Sequence, residues 1–137
     1  MFFKHIYPES HIIGFEADPY IFKFLKDNVK EFQFDNVEIY NKALWNEETT
    51  LNFLSDKADG GIVESHNNEG VKVETVRLKK FIENTPVDML KIDIEGSEYK
   101  VLKDCKNELK NVYNIFIEYH SINKEEQFLP EILKILK

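Results

Sequence analysis

Glycine, cysteine and long apolar runs are all scarce in this sequence, and each scarcity removes a class of protein. The five glycines, Gly14, Gly60, Gly61, Gly70 and Gly96, form no Gly-x-Gly, so no glycine-rich loop is present to cradle a phosphate or a dinucleotide. Cys105 is the only cysteine; no intramolecular disulfide can form, and a reducing compartment fits. There is no Cys-x-x-Cys and no His-x-x-x-His, which argues against a structural zinc site, and no metal is expected. His5, His11 and His66 show no ligand spacing. The lack of Gly-x-Ser-x-Gly speaks against a serine hydrolase. No segment approaches the roughly 20 apolar residues of a membrane span. The apolar start at Met1–Tyr7 is cut short by Pro8, so no signal peptide is expected either. A cytoplasmic protein without a membrane partner is the resulting expectation. Basic residues are outnumbered, 18 against 25 acidic, for a net charge of −7, which argues against a broad phosphate-binding surface and so against a nucleic-acid partner.

Aromatic residues are abundant. Eleven Phe and six Tyr, within 42% hydrophobic residues overall, supply enough ring area for one real core. The 137 residues read as a single domain over 1–137. Cys105 falls on a helical pattern between Leu102 and Leu109 and reads as a core residue.

Strands and helices alternate along the chain. Residues 2–7 look helical up to Pro8. His11–Glu16 is a short apolar run ending in a carboxylate, read as a buried strand. Asp18-Pro19 starts a helix by cap and first-turn proline, with Phe22, Leu25, Val29 and Phe32 on one stripe. Asp35-Asn36 is a turn, and Val37–Tyr40 a second strand. Thr50–Leu54 and the alternating Val71–Val76 suggest a long antiparallel hairpin, mobile through Asp59-Gly60-Gly61 and the loop residues 66–70. Residues 78–84 form a short helix. Val87–Ile94 is a strand ending in Asp93 and Glu95. Gly96-Ser97 opens a helix with Val101, Leu102, Cys105 and Leu109 inward. Val112–Tyr119 is an apolar strand, and a last helix from about Lys124 turns Leu129, Ile132, Leu133 and Leu136 inward. This order predicts an α/β fold with a mainly parallel sheet and helices on both faces.

Ligands of such sheets bind beyond the carboxyl ends of the strands, so the residues standing there are the candidates. Glu16 can accept both hydroxyl hydrogens of a ribose, or can be a solvent-facing carboxylate beside a helix start. Asp93 and Glu95 face one side of an extended segment and could bind a hard cation, orient an acceptor or hold a general base. Ser97 as a cap and Glu98 as a dipole partner account for the next two polar residues. They leave Asp93 unexplained, because a carboxylate in an apolar strand costs stability without a partner or water. Glu118 and His120 can form an acid–base pair at the last strand end, or can cap the sheet edge.

Taken together, I-I-G-F-E-A-D-P (12–19), N-K-A-L-W-N-E-E (41–48), V-K-V-E-T-V-R-L-K-K-F-I (71–82), V-D-M-L-K-I-D-I-E-G-S-E (87–98) and I-F-I-E-Y-H-S (115–121) resemble the FkbM family of methyltransferases that use S-adenosyl-L-methionine. The resemblance implies a class I, Rossmann-like methyltransferase sheet and transfer of a methyl group to a hydroxyl of a sugar or small metabolite. It implies that Glu16, with Ala17 beside it, holds the cofactor's ribose. Ala43 and its neighbours Lys42 and Leu44 would line the adenine pocket through backbone contacts. Asp93 would lie near the methyl-transfer centre, with Glu118 and His120 across the acceptor side.

The family pattern places a strand and a glycine-rich loop ahead of the ribose-binding acid, whereas only fifteen residues precede Glu16 here. The expectation is an N-terminally shortened, incomplete domain. Its sheet would be cored out, or closed by direct pairing of the strands ending at Glu16 and Asp93. Such a sheet has reason to self-associate, so a homo-oligomer is a further expectation. A non-catalytic remnant or partner subunit, and an NAD-type nucleotide-binding enzyme, are the competing functions.

Overall fold

The computed structural model describes residues 2–54, 62–64, 70–121 and 126–137. Helix α1 (Phe2–Ile6) ends at Pro8, and its buried Lys4 closes the turn by donating to the carbonyls of Pro8 and Ser10. Strands β1 (Ile12–Phe15) and β2 (Val37–Tyr40) pair in parallel. Parallel strands need a crossover, and helix α2 (Pro19–Glu31) supplies it. Asp18 starts that helix in an extended conformation, its Oδ1 accepting from the N–H groups of Tyr20 at 2.7 Å and Ile21 at 3.3 Å. Asn36 takes φ of 58° in the turn before β2, a conformation Asn tolerates better than most residues.

The expected hairpin is the centre of a larger unit. Strand β6 (Val71–Val76) pairs antiparallel with β4 (Thr50–Leu54) and parallel with β3 (Ala43–Leu44), and β5 (Ile62–Glu64) adds a further antiparallel strand beyond β4. The sheet order is β3-β6-β4-β5. The predicted loop residues 59–61 and 66–69, His66 among them, and the mobility ascribed to them lie outside the described residues. Buried Thr75 fixes the entry to β4: its Oγ1 accepts from the N–H of Thr49 at 2.7 Å and lies 2.7 Å from the carbonyl of Glu47, to which it donates.

After helix α3 (Lys79–Ile82) the third unit is again parallel, with β7 (Leu90–Ile92) against β8 (Ile115–Ile117). Helix α4 (Glu98–Asp104) and a 3-10 turn at Leu109–Asn111 cross between them, and α5 (Leu129–Ile135) packs on α4. Both strands are shorter than their apolar runs. Val87 and Val112 meet only in an isolated bridge, and the Asn114 side chain donates to the Asp88 carbonyl between bridge and strand. Beyond Ile92 the chain leaves the sheet and turns through Glu95 (φ 51°) and Gly96 (φ 96°).

The nine-residue core joins the last two units: Leu44, Val76, Leu78, Ile82, Ile92, Val101, Leu102, Cys105 and Ile132. Arg77 ties β6 to α4 through two bonds to Asp104, Nε to Oδ2 at 3.0 Å and Nη2 to Oδ1 at 2.6 Å. The first unit is held by rings, Phe15 and Tyr40 both packing on Phe81, with centroids 4.8 and 5.7 Å away. Two helical stripes differ from expectation. Phe32, at the end of the α2 stripe, is exposed, and no residue of α2 is fully buried. On α5, Ile132 is buried while Leu129, Leu133 and Leu136 face outward.

The single sheet expected from the alternating pattern is three sheets. Among the described residues, β1 pairs only with β2 and β7 only with β8. The open edges of β1 and β7 bound a cleft of about 1630 Å³, which every residue of β1 lines together with Leu90 and Lys91 of β7. No helix among the described residues is long and apolar enough to cross a membrane.

Candidate functional site

The cleft gathers the strand ends. Glu16 leaves β1 with its backbone N–H still bonded to the Tyr40 carbonyl at 3.0 Å. Its Oε1 accepts from the Asp18 N–H at 2.8 Å, so the carboxylate is turned by the same residue that caps α2. Burial raises the Glu16 pKa above the ordinary glutamate value; the Asp18 N–H opposes this, and the Asp18 charge adds to it. Asn41 holds the facing loop, donating from Nδ2 to the carbonyls of Glu16 at 2.8 Å and Ala17 at 3.2 Å. Next to it, Ala43 and Leu44 are buried in β3, and Lys42 reaches Glu74 at 3.0 Å. All five residues expected on the cofactor side, Glu16, Ala17, Lys42, Ala43 and Leu44, line this one cleft, as do Asp93 and Glu95.

Glu118 and His120 do not belong to the cleft lining. They stand beyond Asp93, where β8 continues past its last ladder residue with the Glu118 N–H on the Ile92 carbonyl at 2.9 Å. One ligand atom from each of Asp93, Glu118 and His120 lies within 4.8 Å of the others. Asp93 is therefore the residue shared by the cleft and the cluster behind it.

Asp93 and Glu95 come together by a route other than strand alternation. The segment is not extended: the left-handed Glu95 and Gly96 fold the chain back. Both carboxylates face the same ring nitrogen, His120 Nε2, at 3.8 Å for Asp93 and 3.4 Å for Glu95. A non-glycine residue at positive φ costs free energy, and such conformations gather at functional sites. Lys91 holds the second oxygen of Asp93 at 2.6 Å.

Glu98 does more than partner a helix dipole. Ser97 makes no side-chain cap bond, contrary to expectation. Glu98 instead turns inward, 1% exposed, and its Oε1 accepts from the Gly96 N–H at 3.0 Å and bonds His120 Nδ1 at 2.9 Å. Its Oε2 has no hydrogen-bond partner among the described residues. Burial works against the His120 imidazolium, but the Glu98 hydrogen bond and the charges of Glu95, Glu98 and Asp93 outweigh it and raise the pKa above the ordinary histidine value. Cys105 lies apart in the core, fully buried, with its thiol pushed up to about 12 chiefly by burial. It is inert as a nucleophile at neutral pH.

An acidic residue presented to a cleft at the end of a parallel strand suits a ribose. A histidine among carboxylates beyond the end of β8 suits handling of a hydroxyl proton. The "Methyltransferase 1" of Beauveria bassiana (strain ARSEF 2860) is 25% identical over 134 residues, which is 79% of this chain and 54% of that protein. The chain thus spans about half the length of the curated relative it matches. No solved structure matches it. The family model of the Methyltransferase FkbM domain matches residues 2–137, and on that match the chain belongs to the FkbM methyltransferase domain family.

Proposed function

We propose that this chain forms the cofactor and acceptor sides of an O-methyltransferase that takes its methyl group from S-adenosyl-L-methionine. The observation that carries the reading is the cleft. Glu16, Ala17, Lys42, Ala43 and Leu44, from two separate sheets, line it together with Asp93. In this reading the ionised Glu16 accepts from the two ribose hydroxyls. Ala43 and its neighbours flank the adenine through their backbone, with Ala17 beside the ribose. In this reading the gap between β1 and β7 would take the strand and glycine-rich loop that the family pattern sets ahead of the ribose acid, and the two parallel pairs would be halves of one class I, Rossmann-like sheet.

The acceptor, a hydroxyl of a sugar or small metabolite, enters from the side of Asp93, Glu118 and His120. Methyl transfer from a sulfonium is an in-line displacement. The protein gains most by holding the acceptor oxygen near the methyl carbon, and removal of the hydroxyl proton adds about 10²–10⁴-fold.

Calorimetry with S-adenosylhomocysteine tests the cofactor side. Glu16→Ala is expected to weaken binding about 10-fold or more, the worth of hydrogen bonds to a charged acceptor. Binding that Glu16→Ala leaves unchanged would remove the ribose assignment. The same titration with NAD decides against the dinucleotide alternative.

A further inference from the structure

We propose that Asp93, Glu118 and His120 bind a divalent cation of the Mn²⁺ type, with Glu98 as the residue that positions His120 for it. The first observation is the cluster itself, in which one carboxylate oxygen of Asp93, one of Glu118 and one ring nitrogen of His120 lie within 4.8 Å of one another. Three such atoms converging from two adjacent strand ends suit one ion, and the mix of imidazole and carboxylate oxygens favours a first-row divalent metal over Ca²⁺.

The second observation is Glu98, which is 1% exposed. It bonds His120 Nδ1 at 2.9 Å, and the opposite nitrogen, Nε2, faces Asp93 and Glu95. A carboxylate on one nitrogen of a histidine fixes the tautomer and leaves the other nitrogen's lone pair for a metal. The second oxygen of Glu98 has no hydrogen-bond partner among the described residues. A buried carboxylate with an orphan oxygen is costly in isolation and is stabilised by positive charge just beyond the imidazole. Four carboxylates, of Asp93, Glu95, Glu98 and Glu118, crowd this ring. Apart from His120 itself, the ammonium of Lys91, on Asp93, is the one cationic side chain among the described residues that pairs with any of them. No residue spacing announces the site, because its ligands come from two strands.

The use of the ion rests on the methyltransferase reading. The acceptor oxygen would join the cation as a further ligand and become more acidic. Its proton would pass to Glu95 and on to solvent. The oxygen–carbon bond would then form as the carbon–sulfur bond of the sulfonium breaks, its electron pair remaining on sulfur as a thioether.

The existence of the site is testable without turnover. Mn²⁺ titrated into the chain and followed by electron paramagnetic resonance is expected to show one bound ion. That ion should be lost in His120→Gln and Glu118→Gln and retained in His11→Gln, which removes only the surface contact to Glu38. Glu98→Gln, with a far-UV circular dichroism spectrum like the parent's, is expected to weaken Mn²⁺ about 10–100-fold. No bound Mn²⁺ at millimolar metal, or binding unchanged in folded His120→Gln and Glu118→Gln, overturns the proposal. S-adenosylhomocysteine calorimetry run in parallel separates the two readings. Cofactor binding without Mn²⁺ binding removes only the cation site, and Mn²⁺ binding without cofactor binding removes only the proposed cofactor site.

Discussion

Glu16 carries opposing demands on one carboxylate. In the proposed role, holding two ribose hydroxyls would require its ionised form, whereas burial and the neighbouring Asp18 charge favour the protonated one. A raised carboxylate pKa means that the folded chain binds this proton more tightly than the unfolded chain does. Ionised Glu16 therefore opposes folding at neutral pH, and protonation relieves it. On the proposed role, cofactor affinity is expected to move the other way, present above the raised pKa and lost as pH falls through it. Glu16→Gln mimics the protonated state and keeps an oxygen for the Asp18 N–H. It is expected to lower S-adenosylhomocysteine affinity while leaving Tm equal to or above that of the parent at pH 7, read by calorimetry and by thermal melts. A lower Tm with unchanged affinity would show Glu16 to be a structural carboxylate. Glu16 was legible because an acid at the tip of an apolar run is conspicuous, and Asp93 for the same reason. Glu98 was not, because an acid in the first turn of a helix already has an ordinary explanation in the helix dipole. Only the fold shows that this one is buried against a histidine twenty-two residues away.

Among the elements, periodicity located the helices better than it located their contacts. The stripes of α2 and α4 look equally apolar along the chain. Yet α4 buries Val101 and Leu102 completely, and α2 buries none of its residues. The difference lies in what each helix meets. α4 shares one core with Ile92 of β7 and Ile132 of α5, whereas α2 connects a pair of strands that, among the described residues, finds no further sheet partner. For the same reason α5 turns Ile132 rather than its leucines inward, since its orientation is set by the surface of α4. Strand lengths failed at the ends: the chain leaves the sheet after Ile92 toward the left-handed Glu95, and the Asn114 side chain bonds the Asp88 carbonyl ahead of the β7–β8 ladder. Cavity formation should follow burial and not hydrophobicity. Leu102→Ala, at a position 0% exposed, is expected to cost about 2–5 kcal/mol. Phe32→Ala, 60% exposed despite its place on the predicted stripe, should stay within about 0.5 kcal/mol. Urea unfolding of both variants checks the pair, and a large loss for Phe32→Ala would mean that α2 is covered in solution.

For the whole molecule, the decisive feature is that two parallel pairs stand on either side of a cleft, each with an inner edge left open among the described residues. Strand order was legible only as far as the resemblance carried it. The alternation of strands and helices predicts parallel pairing, and both parallel pairs formed, but nothing in an apolar run says which neighbour it will find. An open strand edge offers unpaired N–H and C=O groups to another chain. On β1 that edge carries Ile13, 37% exposed, beside the open edge of β7. We therefore expect these 137 residues to associate through the cleft edges, with a weight-average mass that rises with concentration in sedimentation equilibrium. Ile13→Lys puts a charge on the edge strand without removing a buried residue, and it should shift the chain toward monomer while far-UV circular dichroism stays unchanged. S-adenosylhomocysteine, if it enters the same cleft, should compete with association and lower the mean mass. A parent chain that stays monomeric at every concentration would mean that the edges are already satisfied, and the open-sheet reading of the cleft would fall with it.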